Sequence, residues 1–430
     1  MNSRKPVRPS SIPFVLLLSC FFLSGAAGLM YEVLWVRMID KVIGSAPFAV
    51  ATVLSVFMGG LALGSFLAGR VIDRVTSKRK LLSLYGWLEF AIGVYAMLLP
   101  LIITALEPLY RVAYNNLFSH FWLYQVFTFL GCLLLLLLPT SLMGVTLPVL
   151  CRFYVTHLDH LGTRTGRLYG VNTFGAALGC VLCGFVLISR LGVWGTLLVA
   201  VLINFFIGAS CLLVSTRRAG FLVLEVVPSR RGETGCKSKS PAAFYDAKTA
   251  WALCMFAVSG CSAMAYQVFW TRLLGLLLGP TTYSFTLVVS TFIIGLAAGS
   301  ILFGRLADRT RNVFLMLALT QILAAVFALA VSQFLGNSQF FFSKLISTFQ
   351  ESFGTMTAVQ SVTLFAVLLG PTVFLGASFP LVTRIYARSL PLLGGTIGTA
   401  YAINTVGAIV GSFVAGFILI PVVGKENGLR

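Results

Sequence analysis

One membrane-length segment occurs twice in this chain, and that constrains its fold more than any other feature. Residues 24–74 align with 259–309 at a constant offset of 235, without a gap, and about 20 of the 51 paired positions are identical. The first copy carries Ser24-Gly25, Tyr31-Glu32-Val33, Trp35 and Arg37, and the second carries Ser259-Gly260, Tyr266-Gln267-Val268, Trp270 and Arg272. Both continue through Gly-Leu-Ala-x-Gly-Ser (Gly60 to Ser65, Gly295 to Ser300) and close on Gly-Arg-x-x-Asp-Arg. After a loop three residues shorter in the second copy, the offset becomes 232. Pro139-Thr140, Gly144, Pro148 and Arg152 then match Pro371-Thr372, Gly376, Pro380 and Arg384. A repeat of this length predicts two related structural units, each of roughly 210 residues.

The units are membrane units. Hydrophobic residues make up 58% of the chain and charged residues 10%, far below the roughly 25% charge of a soluble domain. Eleven apolar runs reach the ~20 residues needed to span a bilayer: near 12–35, 47–69, 81–105, 122–150, 168–189, 193–215, 249–271, 282–304, 313–335, 356–383 and 393–421. Backbone groups in hydrocarbon must be satisfied within their own segment, so these runs are predicted to be helices. The first has a basic start (Arg4, Lys5, Arg8) like a signal peptide, but it is long for one, and its copy lies mid-chain where no signal peptide acts. It is read as a permanent span.

The formal charge of +19 reports topology. With the N-terminus cytoplasmic and sides alternating, 23 of the 31 Lys and Arg fall inside. That is the positive-inside bias, with contact to the lipid bilayer as its consequence. No basic soluble domain of the kind that binds nucleic acid is present. Cys180 and Cys183 form a CxxC inside a predicted helix, and their repeat partners Ser412 and Ala415 are small, so helix packing is the expectation. His157, Asp159 and His160 are too few for a metal site. No cofactor or metal is predicted.

The expected organisation is an N-terminal half at 1–215, a basic cytoplasmic linker at 216–248 and a C-terminal half at 249–430. Each half starts on the cytoplasmic side, so the fold class is an all-α polytopic membrane protein with about eleven helices in two parallel six-helix-type repeats. Residues 418–430 match 186–198, the turn entering the sixth span, so the second half is expected to lack its last helix.

Four groups of residues are candidates for function. The first comprises Gly69, Arg70, Asp73 and Arg74 with Gly304, Arg305, Asp308 and Arg309. A carboxylate between guanidiniums makes charge-assisted bonds to neighbouring helix ends, and such a cluster at the cytoplasmic mouth can latch one conformation. It resembles the loop motif of major facilitator proteins, Gly-x-x-x-Asp-Arg followed by basic residues. The second group is small residues four apart: Gly60 and Gly64, Gly175 and Gly179, Gly295 and Gly299, Gly407 and Gly411. Their spacing lets helix backbones approach closely, and they are expected along the junction between halves. Third are two carboxylates within predicted spans, Glu32 and Glu89, whose repeat partners Gln267 and Gln321 are neutral. Intramembrane carboxylates are costly and mark functional sites by default. One reading is a proton or cation site on the first half. The other is structural pairing, Glu32 with Arg37 and Glu89 with the cytoplasmic basic loops. Fourth are Tyr31, Trp35 and Arg37 with Tyr266, Trp270 and Arg272, read either as an interfacial belt or as a gate. Asn172-Thr173 and Asn404-Thr405 are expected to bond between helices or to cap their own first turns.

Three strings carry a wider resemblance: Tyr31 to Arg37, Leu138-Pro139-Thr140 with Met143 to Pro148, and Gly166-Arg167-Leu168-Tyr169-Gly170-Val171-Asn172-Thr173-Phe174-Gly175-Ala176. They resemble the membrane region of bacterial proteins that fuse a major-facilitator-like bundle to a spermidine-synthase-like domain. The likeness covers nearly the whole chain outside the linker. It implies a multi-pass protein of the bacterial inner membrane. It also implies a link to polyamines, either as transported cations or through a synthase-like partner domain. The aminopropyltransferase-like domain itself has no counterpart here, because Leu393-Gly394-Gly395-Thr396 follows no strand and is no nucleotide loop. No catalytic residue is assigned. Two expectations stand side by side: a major-facilitator-like transporter of a small cation, and a non-transporting anchor or remnant of a fused enzyme.

Overall fold

The computed structural model describes residues 12–43, 47–216, 247–278, 282–348, 353–387 and 389–420. Residues 217–246, nearly all of the expected linker, and the last ten residues lie outside the described residues. Among the described residues the chain is all-helical. In the first half, α1 is Ile12–Ile43, α2 Pro47–Ile72, α3 Lys78–Leu117, α4 Phe121–Tyr154, α5 Leu161–Val181 and α6 Ile188–Thr216. In the second, α7 is Ala247–Leu278, α8 Thr282–Arg309, α9 Val313–Gly336, α10 Gln339–Thr348, α11 Phe353–Gly376, α12 Ser378–Tyr386 and α13 Leu393–Phe413.

Among the described residues, ten helical stretches are long and apolar enough to cross a membrane. One of them, Leu158–Thr216, has 59 residues, and as a straight helix it would be nearly 90 Å long at ~1.5 Å per residue. It is broken at Gly192, whose φ of 67° and ψ of −177° lie outside any helix. Residues with a side chain disfavour that φ, which is why glycine sits there. The stretch therefore makes two passes, which brings the described residues to eleven. π-helical turns occur at Leu182–Leu187 and Val414–Leu419, positions related by the repeat offset.

Packing follows the repeat. Within the first half α2 lies on α4, α1 on α5, and α3 on α6. Within the second α8 lies on α11 and α7 on α13. The halves meet along two equivalent seams, α2 against α13 and α5 against α8. The glycine pairs flagged from spacing belong to the first set of contacts. A Cβ at Gly60 or Gly64 would overlap Thr140 or Ser141 on α4, and one at Gly175 or Gly179 would overlap the Phe22 or Ala26 carbonyl on α1. Gly295 and Gly299 meet Thr372 and Val373 on α11, and Gly407 and Gly411 meet Ala257 and Cys261 on α7. These eight glycines weld each half internally and do not line the junction. The junction uses a different face of the same helices. Ser65 and Gly69 meet Gly394 and Gly398 on one seam, and Ser300 and Gly304 meet Gly162 and Gly166 on the other. Ser300 Oγ donates to the Gly166 carbonyl at 3.2 Å. Cys180 and Cys183 are buried and donate weakly to the carbonyls of Thr286 and Met30, each at 4.0 Å.

Candidate functional site

A cavity of about 270 Å³ lies between the halves, walled by helices of both. Its lining repeats the internal duplication: Tyr169 with Tyr401, Asn172 with Asn404, Thr173 with Thr405, Ser24 with Ser259. The pair that breaks the symmetry in charge is Glu32 and Gln267, 5% and 8% exposed. Among the described residues Glu32 is the only charged side chain in the lining. Pairing with Arg37 does not account for it: five residues along a helix are about 140° apart, whereas helical side-chain pairs form at three or four. Arg37 and Arg272 lie half-buried outside the lining. Asn172 Nδ2 donates to the Phe21 carbonyl at 2.9 Å, tying α5 to α1, while Thr173 and Thr405 bond back into their own helices.

Glu89 is nowhere near the basic loops. It is fully buried among α1, α3 and α6. Ser24 Oγ donates to its Oε1 at 2.6 Å, and Asn204 Nδ2 donates to its Oε2 at 2.7 Å. Tyr31 OH completes the network by donating to Asn204 Oδ1 at 3.0 Å. The other half builds a neutral version: Gln321 Nε2 donates to Ser378 Oγ at 2.9 Å, and Ser378 and Ser259 hydroxyls lie 3.0 Å apart.

The aromatic residues form core, not belt. Tyr31, Trp35 and Trp270 have no exposed surface. Tyr31 stacks on Trp35 and Tyr266 on Trp270, both with ring centroids 5.3 Å apart, and Phe57 and Phe292 tilt against the two indoles at 6.1 Å. The apolar runs place both tryptophans near a span end. The helices in fact continue to Ile43 and Leu278, eight residues or about 12 Å further, so each indole sits deep enough to pack.

The loop motifs close one face of the molecule by crossing between halves. Asp73, just after α2, accepts from the N–H groups of Gly394 and Gly395 at the start of α13, both at 2.8 Å. Asp308, at the end of α8, accepts from Gly162 and Thr163 at the start of α5, at 2.9 and 2.7 Å. Helix N-termini present unpaired N–H donors and a partial positive charge, so each carboxylate satisfies two of them. Two arginines of the repeat reinforce this. Arg152 donates to the Leu390 carbonyl. Arg384 donates to the Leu158 carbonyl at 2.8 Å and lies 3.7 Å from Asp308. All these groups meet on one face, as parallel repeats require. Burial pushes the Asp73 carboxyl above its usual range, while the Gly395 and Gly394 N–H groups and the Arg152 guanidinium pull it back. The guanidiniums of the motif itself are elsewhere: Arg70, Arg74, Arg305 and Arg309 are exposed, with Arg70 over the Phe66 ring at 3.8 Å. The cations at the carboxylates are Arg152 and Arg384. Their shared place in the repeat was the one sequence signal that marked them.

No protein-family model matches the sequence, and no curated protein matches it. Solved structures do. The chain is similar to a Major Facilitator Superfamily transporter, FucP, in the outward conformation, with 16% identity and a TM-score of 0.59 over 98% of this chain and 95% of that one. It is similar to a bacterial homologue of the iron transporter ferroportin in an outward-facing state, with 14% identity and a TM-score of 0.55 over 96% and 93%. It is also similar to the human organic anion transporter MFSD10, with 13% identity and a TM-score of 0.52 over 97% and 96%. The eleven membrane passes of the described residues, the two repeats, and the cavity between them are thus arranged in the major-facilitator fold.

Proposed function

We propose that this chain is a secondary transporter that carries a small cationic solute by alternating access, with polyamines as the solute class. The observation that carries the reading is the cavity between halves in which, among the described residues, Glu32 is the only charged side chain. A buried carboxylate with no cationic side chain beside it in the lining favours a cation over neutral or anionic solutes, because an unpaired buried charge is costly. The fold supports movement of the halves about that site. The excess of Lys and Arg in these loops supports a cytoplasmic position for the latched face and the N-terminus, and with it an outward-facing state of a bacterial inner-membrane protein. The resemblance to fused synthase-like proteins is the ground for choosing polyamines among cations.

The test is uptake of labelled spermidine by purified protein in liposomes. Wild type is expected to transport it, and Glu32→Gln to lose at least about tenfold in uptake, the worth of one charge-assisted contact of about 1.5 kcal/mol or more. Folded wild-type protein without any flux would overturn the transporter reading and favour a membrane anchor for a synthase-like partner.

A further inference from the structure

Glu89 plays no part in lining the cavity, yet it is the more confined of the two membrane carboxylates. Its exposure is 0%. Both of its oxygens accept from neutral donors, Ser24 and Asn204. Among the described residues no ion pair reaches it. The titratable groups nearest in the electrostatic sense are Cys20 and Tyr31 on α1, Cys211 on α6 and Tyr85 on α3 itself. None is a cation. A buried carboxylate without a cation is stable only if it can take up a proton.

The network is built to hold either form. Tyr31 donates to Asn204 Oδ1 and so fixes the amide with its NH₂ towards Glu89 Oε2. That bond is the same whether Glu89 is charged or neutral. The Ser24 hydroxyl is different, because it can donate to Oε1 or accept from it. Ser24 is half-buried and also lines the central cavity. It is therefore a single hydroxyl with one side towards the cavity and the other 2.6 Å from Glu89.

We propose that Glu89 binds and releases a proton during the transport cycle, and that the Ser24 hydroxyl is its connection to the cavity. In loading, a hydronium ion in the cavity gives a proton to Ser24 Oγ as the Ser24 proton passes to Glu89 Oε1. Carboxylate and hydronium become carboxylic acid and water. Discharge is the reverse. The division of labour follows from position: Glu32 meets the solute, and Glu89 holds the proton out of its reach. The second half has no equivalent, since Gln321 cannot gain a proton at the same place in the repeat. This inference rests on the transporter reading for its place in a cycle, but the proton site itself does not.

The experiment is infrared difference spectroscopy of the full-length protein in liposomes between acid and alkaline pH. Wild type is expected to show a carboxylic acid C=O band that alkali removes. Glu89→Gln should lack that band, and Glu32→Gln should keep it. Ser24→Ala should keep the band but shift in D₂O at least tenfold more slowly. A band of undiminished size in Glu89→Gln overturns the site, and wild-type exchange in Ser24→Ala overturns the route. Should Glu89→Gln fail to fold, the Ser24→Ala exchange rate still decides. With a pH dye inside the liposomes, added spermidine should move protons in wild type and not in Glu89→Gln. If spermidine moves in neither while the band behaves as stated, the polyamine reading fails and the proton site stands.

Discussion

Replacing Asp73 and Asp308 together by asparagine is expected to open the face that these two carboxylates close. Each carboxylate now satisfies two backbone donors at the first turn of a helix in the opposite half. An asparagine offers one acceptor oxygen and turns an NH₂ towards the second N–H. One partly buried donor is then left without a partner, at about 2 kcal/mol per latch. The two latches share no residue, so the double variant loses about 4 kcal/mol if they act independently, on the order of a thousandfold in the ratio of closed to open states. Hydrogen exchange reads this directly. Amides at 162–163 and 394–395 should exchange far faster in the double variant and by an intermediate amount in each single one. Unchanged protection at both helix starts would remove the latch from the mechanism.

The second large effect concerns the glycines inside each half. Gly175→Leu is expected to abolish the folded protein. Its Cβ would overlap the Phe22 carbonyl, a backbone atom of α1 that cannot rotate aside. The cost exceeds the usual ~1–3 kcal/mol of overpacking, because a whole helix must move. Gly64→Leu against Ser141 on α4 should behave alike. Gly398→Leu is the informative contrast. Its Cβ would meet the Ser65 carbonyl across the seam between halves, and the halves can separate where two welded helices cannot. That variant should fold, and should exchange faster at the start of α13. Size-exclusion profiles and thermal melts separate the two outcomes, and a Gly175→Leu protein that melts like wild type would refute the distinction.

Spacing alone could not have drawn that distinction. Small residues four apart state that one face of a helix is narrow, not which neighbour meets it. Gly60 and Gly64 look as suited to a sliding junction as to a weld, while Gly162, Gly166, Gly394 and Gly398, which do form the junction, lie at or just outside the ends of the apolar runs, next to loops. The arginine partners of the latch were obscured for a similar reason. Arg70 and Arg74 adjoin Asp73 in sequence, but Arg152 comes within electrostatic range of it only through the packing of α2 on α4.

Membrane residence, helical class, the number of passes and the two-copy plan are written in the chain itself. They depend on the length of apolar runs and on a fixed offset between copies, and neither requires knowing what touches what. The partition of the carboxylates required three dimensions. Glu32 and Glu89 look alike as acids within spans. That one opens on the cavity while the other is enclosed behind Ser24 is set by how α1, α3 and α6 pack, since a side chain's surroundings come mostly from residues remote in sequence. The same holds for Trp35 and Trp270, whose residue type suits a membrane interface and whose neighbours make them core.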